Sequence, residues 1–309
     1  EVQETPVAKS SSVKKITDLD DAELDLFFSN FDARLYGHGR FKEEFKELVT
    51  SFRVFNKLGE HKILSLFLMG DSGIGKTEVA RTIHKALGSQ AKLAKINFGN
   101  YSSHDALNSL IGSPLGYIGS DGGELLKRVN ESDIGLILID EFEKADNAVF
   151  NYFLDVLENG KIVNSQADEY DVNGYIIVFT SNITKENFKS KISPELRSRF
   201  DYKGVFNLLT DEDKKKFVHF RVNQIITKYR EFVSADIPDR LHDVIVSEIN
   251  VSQFKNMRDL NKKIKDTFVA HIKSWFIKRF MVYLWQRNGN KKSDSVCFTD
   301  NTNNVDTIC

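Results

Sequence analysis

The sequence predicts an α/β protein, a doubly wound parallel sheet followed by a small all-helical domain, on three observations. An apolar run at residues 63–69 passes through a glycine-rich turn into an amphipathic run at 78–87, the order strand, loop, helix. Further apolar runs at 93–98, 134–139 and 175–180 alternate with segments of helical periodicity at short connections, which implies parallel strands joined by helical crossovers. Past Phe206 the strand pattern stops and helical periodicity alone continues, which marks a domain boundary near Asn207.

The elements follow in order. Residues 1–15 are polar and rich in Ser and Lys without periodicity, and read as a flexible leader or linker. A helix is predicted over 20–35, with acidic residues in its first turn and Leu24, Phe27, Phe28, Phe31 and Leu35 on one face. Gly37 and Gly39 break it, and a second helix from Arg40 carries Phe41, Phe45, Leu48, Val49 and Phe52 before ending near Gly59. After the helix at 78–87 and the strand at 93–98, another helix starts at Ser103 and runs to Leu110. Residues 112–123 hold five glycines and one proline in twelve positions, and must form a loop. A short helix at 124–129 leads to the run at 134–139, whose continuous apolar character suits a strand buried on both faces. Val149, Phe150, Phe153, Leu154 and Leu157 mark a helix stopped by Asn159 and Gly160, and residues 161–172 form an excursion or hairpin before the strand at 175–180. The helical part covers 210–232, 238–249 and 257–285, the first helix opened by a capping box of Thr210 and Asp213. Residues 288–309 are polar again, with a short strand as an option at 295–299.

Composition narrows the function classes. Hydrophobic residues at 41% and charged residues at 28% are those of a globular protein with a sizeable core. Forty-three basic against 44 acidic side chains leave no basic excess, which argues against a nucleic-acid binder. No apolar run is long enough to span a bilayer and the N-terminus lacks a signal pattern, so no membrane role and a cytoplasmic location are expected. The two cysteines, Cys297 and Cys309, lie in the polar tail and imply neither a disulfide framework nor a thiolate metal site. A chain that opens on Glu1 rather than methionine reads as a fragment of a longer one.

The chemistry concentrates in two places. Gly70, Asp71, Ser72, Gly73, Ile74, Gly75, Lys76, Thr77 and Glu78 have the spacing of a phosphate-binding loop, in which glycines let backbone N–H groups turn inward around anionic oxygens. Lys76 would reach the β- and γ-phosphates of ATP, the Thr77 hydroxyl would ligate Mg²⁺, and the following helix would point its positive end at the same phosphates. The apolar run at 134–139 ends in Asp140 and Glu141, where one carboxylate would hold Mg²⁺ with its waters and the other would polarise the attacking water.

The run Leu136, Ile137, Leu138, Ile139, Asp140, Glu141, Phe142, Glu143, Lys144, Ala145, then Val149, Phe150 and Asn151, with Thr180, Ser181 and Asn182 closing the next strand, resembles the ATPase module of Clp-type ring chaperones of the AAA+ superfamily, most of all their second module. The likeness covers residues 31–273. It implies a leader or linker at 1–24, a large nucleotide-binding domain at 25–206, a helical lid at 207–287 and a polar tail at 288–309. It implies that Asn182 is the first sensor, which positions the water or reads the γ-phosphate. The segment from Ser193 to Asp201 is similar to the family stretch whose last arginine enters the neighbouring subunit's site, which by register is Arg199, with Arg197 as the fallback. Arg258 stands where the family carries its second sensor, although Asn256 and Met257 replace the usual glycine and small residue. Tyr36 and Gly37 resemble the segment whose backbone contacts adenine. Gly116, Tyr117, Ile118 and Gly119 resemble the loop that projects an aromatic side chain into the axial channel of a hexamer to grip polypeptide, with residues 164–171 in the place of a second channel loop.

The resemblance therefore implies a homo-oligomeric, hexameric ring that hydrolyses ATP with Mg²⁺ and remodels unfolded or assembled protein. Ten residues without glycine separate Asn182 from Ser193, too few for the loop with which such rings dock a Clp peptidase, so that partner is not expected. Two other readings stand beside this one: an assembly scaffold switched by ATP, and a DNA-directed loader.

Overall fold

The computed structural model describes residues 13–101, 106–113, 122–234, 236–238 and 240–288. Contacts divide the chain into two compact units, the first reaching to Phe217 and taking in Val251–Leu260, the second made of Val218–Asn250 and the residues from Asn261 on.

In the first unit, α1 (Asp21–Arg34) and α2 (Gly39–Lys57) precede β1 (Leu64–Met69), α3 (Lys76–Ala86) and β2 (Ala94–Asn97). Then come α4 (Ala106–Ile111), α5 (Glu124–Asn130), β3 (Leu136–Asp140), α6 (Asn147–Asn159), the pair β4 (Lys161–Val163) and β5 (Glu169–Asp171), and β6 (Ile176–Thr180). The short helices α7 (Lys185–Lys191) and α8 (Pro194–Arg199) lead to β7 (Tyr202–Val205). Five strands form one parallel sheet in the order β2-β3-β6-β1-β7, and β4 pairs with β5 as an antiparallel hairpin.

Side-chain alternation divides the core into two layers. Phe67, Ile137, Ile139, Ile177 and Phe179 point to one face, where Phe98, Phe142, Val149, Phe153 and Phe200 cover them. Leu64, Leu66, Leu68, Leu136, Leu138, Ile176 and Val178 point to the other, under Phe27, Phe31, Phe45, Phe52, Val79 and Ile83. The three central strands are thus apolar on both faces, the reason they read as unbroken runs. Asp146 accepts from the Val149 N–H at 2.9 Å to start α6, and Gly160 ends it at φ 69°, the expected stop.

The structure departs from the sequence-based expectations in three places. Lys14 bridges to Ile134, and Ile16 and Leu19 are buried, so this part of the expected leader belongs to the core. Strand β7 and helices α7 and α8 lacked periodicity; β7 pairs on one side only and carries Lys203 and Gly204. The loop helix starts at Lys76, ahead of the expected Glu78. Ser103, the loop residues Gly116, Tyr117, Ile118 and Gly119, and the 295–299 segment lie outside the described residues.

The remaining helices are α9 (Asp211–Phe232), α10 (Leu241–Glu248) and α11 (Met257–Asn288). The Asp213 N–H donates to Thr210 Oγ1 at 3.2 Å, the expected start of α9. Within the second unit Val222, Ile245, Ile264 and Phe268 are buried, and the Tyr229 and Phe268 rings meet edge to face at 5.5 Å. Among the described residues no helix is long and apolar enough to cross a membrane.

Candidate functional site

The C-terminal ends of β1, β3 and β6 converge on one point. The chain leaves β1 through Gly70, whose φ of 129° only glycine holds without strain, and a Cβ there would lie 2.4 Å from the Phe206 carbonyl oxygen. Gly73 and Gly75 also have positive φ, 82° and 109°, and the second places Lys76 and Thr77 in the first turn of α3. Ile74 is buried beneath the loop, whereas Asp71 and Ser72 are exposed.

Lys76 is only 6% exposed, and its ammonium donates to the carbonyls of Gly70 at 2.5 Å and Asp71 at 2.6 Å and to Asn182 Oδ1 at 3.2 Å. Burial lowers its pKa, opposed by the charges of Glu143, Asp140 and Asp71. Among the described residues no carboxylate pairs with this buried cation; its partners are neutral oxygens inside a ring of glycines. That is a seat for an anion, and a phosphate fits it.

Asp140 ends β3. Its Oδ1 accepts from Thr77 Oγ1 at 3.3 Å and, more closely, from Thr180 Oγ1, while Lys95 on β2 donates to Oδ2 at 2.5 Å. Burial would raise this carboxyl, but the Lys95 and Thr180 bonds and the Lys95 charge outweigh it and hold the pKa below the ordinary value. A hydroxyl and an ionised carboxylate side by side are a hard-oxygen pair of the kind Mg²⁺ takes. Glu141 has a left-handed backbone, φ 56° and ψ 42°, a costly conformation for a residue with a Cβ and one that recurs at functional sites. It turns the chain sharply off the strand, and Lys144 holds its carboxylate at 2.5 Å.

The sequence reading did not assign Lys95, Lys144, Thr180 or Glu143 a role. Glu143 is 9% exposed and accepts from Asn182 Nδ2 at 3.1 Å. His38 was missed as well: left-handed at φ 56°, it packs on Phe206 with the rings tilted and centroids 4.3 Å apart, and burial lowers its pKa against a hydrogen bond to the Ile74 backbone. Its position after Tyr36 and Gly37 was the one available signal.

The structure brings Lys76, Thr77, Asp140, Glu141 and Asn182 together. Glu78, one turn into α3, instead pairs with Arg81 at 3.4 Å. Tyr36 meets Phe217 edge to face at 5.9 Å, and a Cβ on Gly37 would clash with Leu209 at 2.4 Å. The exposed Arg258 lies in the first turn of α11, and the preceding Met257 N–H donates to the Gly73 carbonyl at 2.9 Å. Asn256 caps this helix by accepting from the Asp259 N–H at 2.8 Å, so the unusual residue builds a normal helix start. Arg199 is not at the loop; it ends α8 and pairs with Glu158 at 3.0 Å. Arg197 has its Nε buried without a partner.

Comparison with known proteins agrees with this geometry. The family described as AAA domain (Cdc48 subfamily) matches residues 61–244. The chaperone protein ClpB of Clostridium tetani (strain Massachusetts / E88) is 30% identical over 280 residues, covering 83% of this chain and 32% of that protein. The ATP-dependent Clp protease ATP-binding subunit ClpC of Staphylococcus aureus (strain USA300) is 26% identical over 265 residues, covering 76% of this chain and 32% of its own. A closed-state cryo-EM reconstruction of Hsp104 with ATPγS and FITC casein superposes with a TM-score of 0.68 at 22% identity, covering 85% of this chain and 50% of that one, which is a likeness of fold. The chain spans about a third of the length of the curated relatives it matches. A glycine loop around a buried lysine, two acidic residues at the end of β3 and a family match over most of the sheet lead to one conclusion: the chain belongs to the AAA domain family (Cdc48 subfamily), as a Clp-type AAA+ ATPase module.

Proposed function

We propose that the module hydrolyses ATP with Mg²⁺ in a ring of identical copies and uses the cycle to pull on or remodel protein. The observation that carries this reading is the meeting of Lys76, Asp140, Glu141 and Asn182 at the ends of three neighbouring strands. The loop N–H groups and Lys76 bind the phosphates, and Lys76 exchanges its carbonyl partners for phosphate oxygen. Thr77 and Asp140 would hold Mg²⁺, which when bound would supply charge neutralisation for the phosphates. Glu141, once released from Lys144, takes a proton from the attacking water. Arg199, exchanging Glu158 for the site of the adjacent copy, stabilises charge on the transferring phosphoryl group. Tyr117 on its glycine-rich loop grips the polypeptide, Arg258 senses the nucleotide, and the backbone at Tyr36 and Gly37 contacts adenine; the likeness of these segments to Clp-type modules supports the three assignments.

The test is a set of variants. Glu141→Gln should retain ATP binding and lose turnover by about 10²–10⁴-fold, the usual contribution of a general base. Arg199→Ala should slow turnover only under conditions where copies associate. Tyr117→Ala should keep the ATPase and lose substrate processing; processing that survives it would favour an ATP-switched scaffold. Unchanged turnover in Glu141→Gln would sink the assignment of the base.

A further inference from the structure

The Glu143 carboxylate has no duty in that scheme, yet it is nine-tenths buried beside the phosphate seat. One oxygen, Oε1, accepts from Asn182 Nδ2 at 3.1 Å; the other, Oε2, is buried with no hydrogen-bond partner. An unpaired buried carboxylate oxygen is expensive, and such a group persists where something other than stability retains it. Phe142 on its N-terminal side is fully buried and Glu141 before that is left-handed, so the turn Phe142–Lys144 holds Glu143 in place.

The amide of Asn182 is consequently fixed at both ends. Lys76 can only donate, so the atom that faces it at 3.2 Å is Oδ1; Glu143 accepts at Oε1, so the atom that faces it is Nδ2. When Lys76 turns to a phosphate, its hold on Oδ1 ends and Glu143 alone keeps the amide from flipping. We propose that Glu143 is a positioning residue: by holding the Asn182 amide nitrogen, it presents the amide oxygen to the γ-phosphate side, so that the sensor acts as an acceptor that orients the attacking water and not as a donor to the phosphate. The electrostatics agree, since Glu143 is the leading acidic neighbour of the Lys76 charge and its carboxylate repels phosphate while it orients the amide. ATP affinity and turnover therefore respond to Glu143 in opposite senses. The inference rests on the reading of Asn182 as the sensor.

The test is steady-state ATP turnover of Glu143→Gln, Glu143→Leu, Asn182→Ala and the double variant, with nucleotide affinity from a fluorescent ATP analogue. Both Glu143 variants should fold, because leucine removes the buried Oε2 that has no partner and glutamine keeps the acceptor to Asn182. Turnover should fall by about ten- to hundredfold in Glu143→Leu, the loss expected for a hydrogen bond to a charged group, and less in Glu143→Gln, which keeps an acceptor. KM should stay level or decrease in both, and Glu143→Leu combined with Asn182→Ala should be no slower than Asn182→Ala alone. Normal kcat in both Glu143 variants beside a slowed Asn182→Ala overturns the inference and leaves the sensor reading intact. A normal Asn182→Ala overturns the sensor reading itself. Additive losses in the double variant, or a KM that rises together with a lowered melting temperature, show a purely structural carboxylate and overturn the inference.

Discussion

Phe142 is the residue through which packing sets the chemistry. It is fully buried, and five rings surround it: Phe179 at 4.8 Å between centroids, Phe150 at 4.9 Å, Phe153 at 5.6 Å, Phe98 at 6.0 Å and Phe67 at 6.3 Å. Replacing a buried phenylalanine by alanine costs about 3–5 kcal/mol, and the upper end applies where the walls cannot collapse. Here the walls are β1, β6 and α6, tied by ladder and helix hydrogen bonds, and the lost ring pairs, already contained in that range, place the loss at its upper end. Phe142→Ala should therefore lose about 4–5 kcal/mol, a large part of the 5–15 kcal/mol typical of a folded domain. Phe142→Leu keeps most of the volume, should cost less than about 2 kcal/mol and should remain folded. Because Phe142 lies between Glu141 and Glu143, the leucine variant should lower turnover more than ATP affinity. Urea unfolding at unchanged m gives the first quantity and a coupled ATPase assay the second. A loss under about 1 kcal/mol in Phe142→Ala, or a leucine variant with full turnover, would refute the claim that this ring anchors both carboxylates.

Gly70→Ala should weaken nucleotide binding by about five- to hundredfold, since φ 129° and a Cβ 2.4 Å from the Phe206 oxygen force the loop to move at a cost of about 1–3 kcal/mol; titration with a fluorescent ATP analogue checks this. His61 Nε2 sits 3.1 Å from Asp201 Oδ1, and that hydrogen bond, opposed by burial, raises the His61 pKa. A raised folded-state pKa stabilises fully below the ordinary histidine value of about 6.5 and is lost as pH climbs through the folded value. The melting-temperature gap between the wild type and His61→Asn should thus shrink from pH 6 towards pH 8, and a pH-independent gap would show that the pair is not ionic.

The phosphate loop, the strands that became β1, β3 and β6, and Asp140, Glu141 and Asn182 at their ends were legible in the chain because each is a local signal. Unbroken apolar runs mean burial on both faces, and glycine spacing means a backbone able to turn inward. Contacts that join distant residues left no such trace. Lys76 and Asn182 are 106 positions apart, Thr77 and Asp140 are 63 apart, and Lys95 reaches Asp140 across 45. Strand β7 was hidden because an edge strand with a lysine and a glycine shows no alternation, and its place beside β1 is decided by pairing alone. Ile16 and Leu19 are two apolar residues in a polar stretch, and only α2 and the apolar cluster on that side of the sheet make them core. Periodicity acts over one or two turns of chain, so it assigns residues to elements. Which carboxylate meets which amide depends on the order of strands in the sheet, and that order is settled by long-range packing once all the elements have formed.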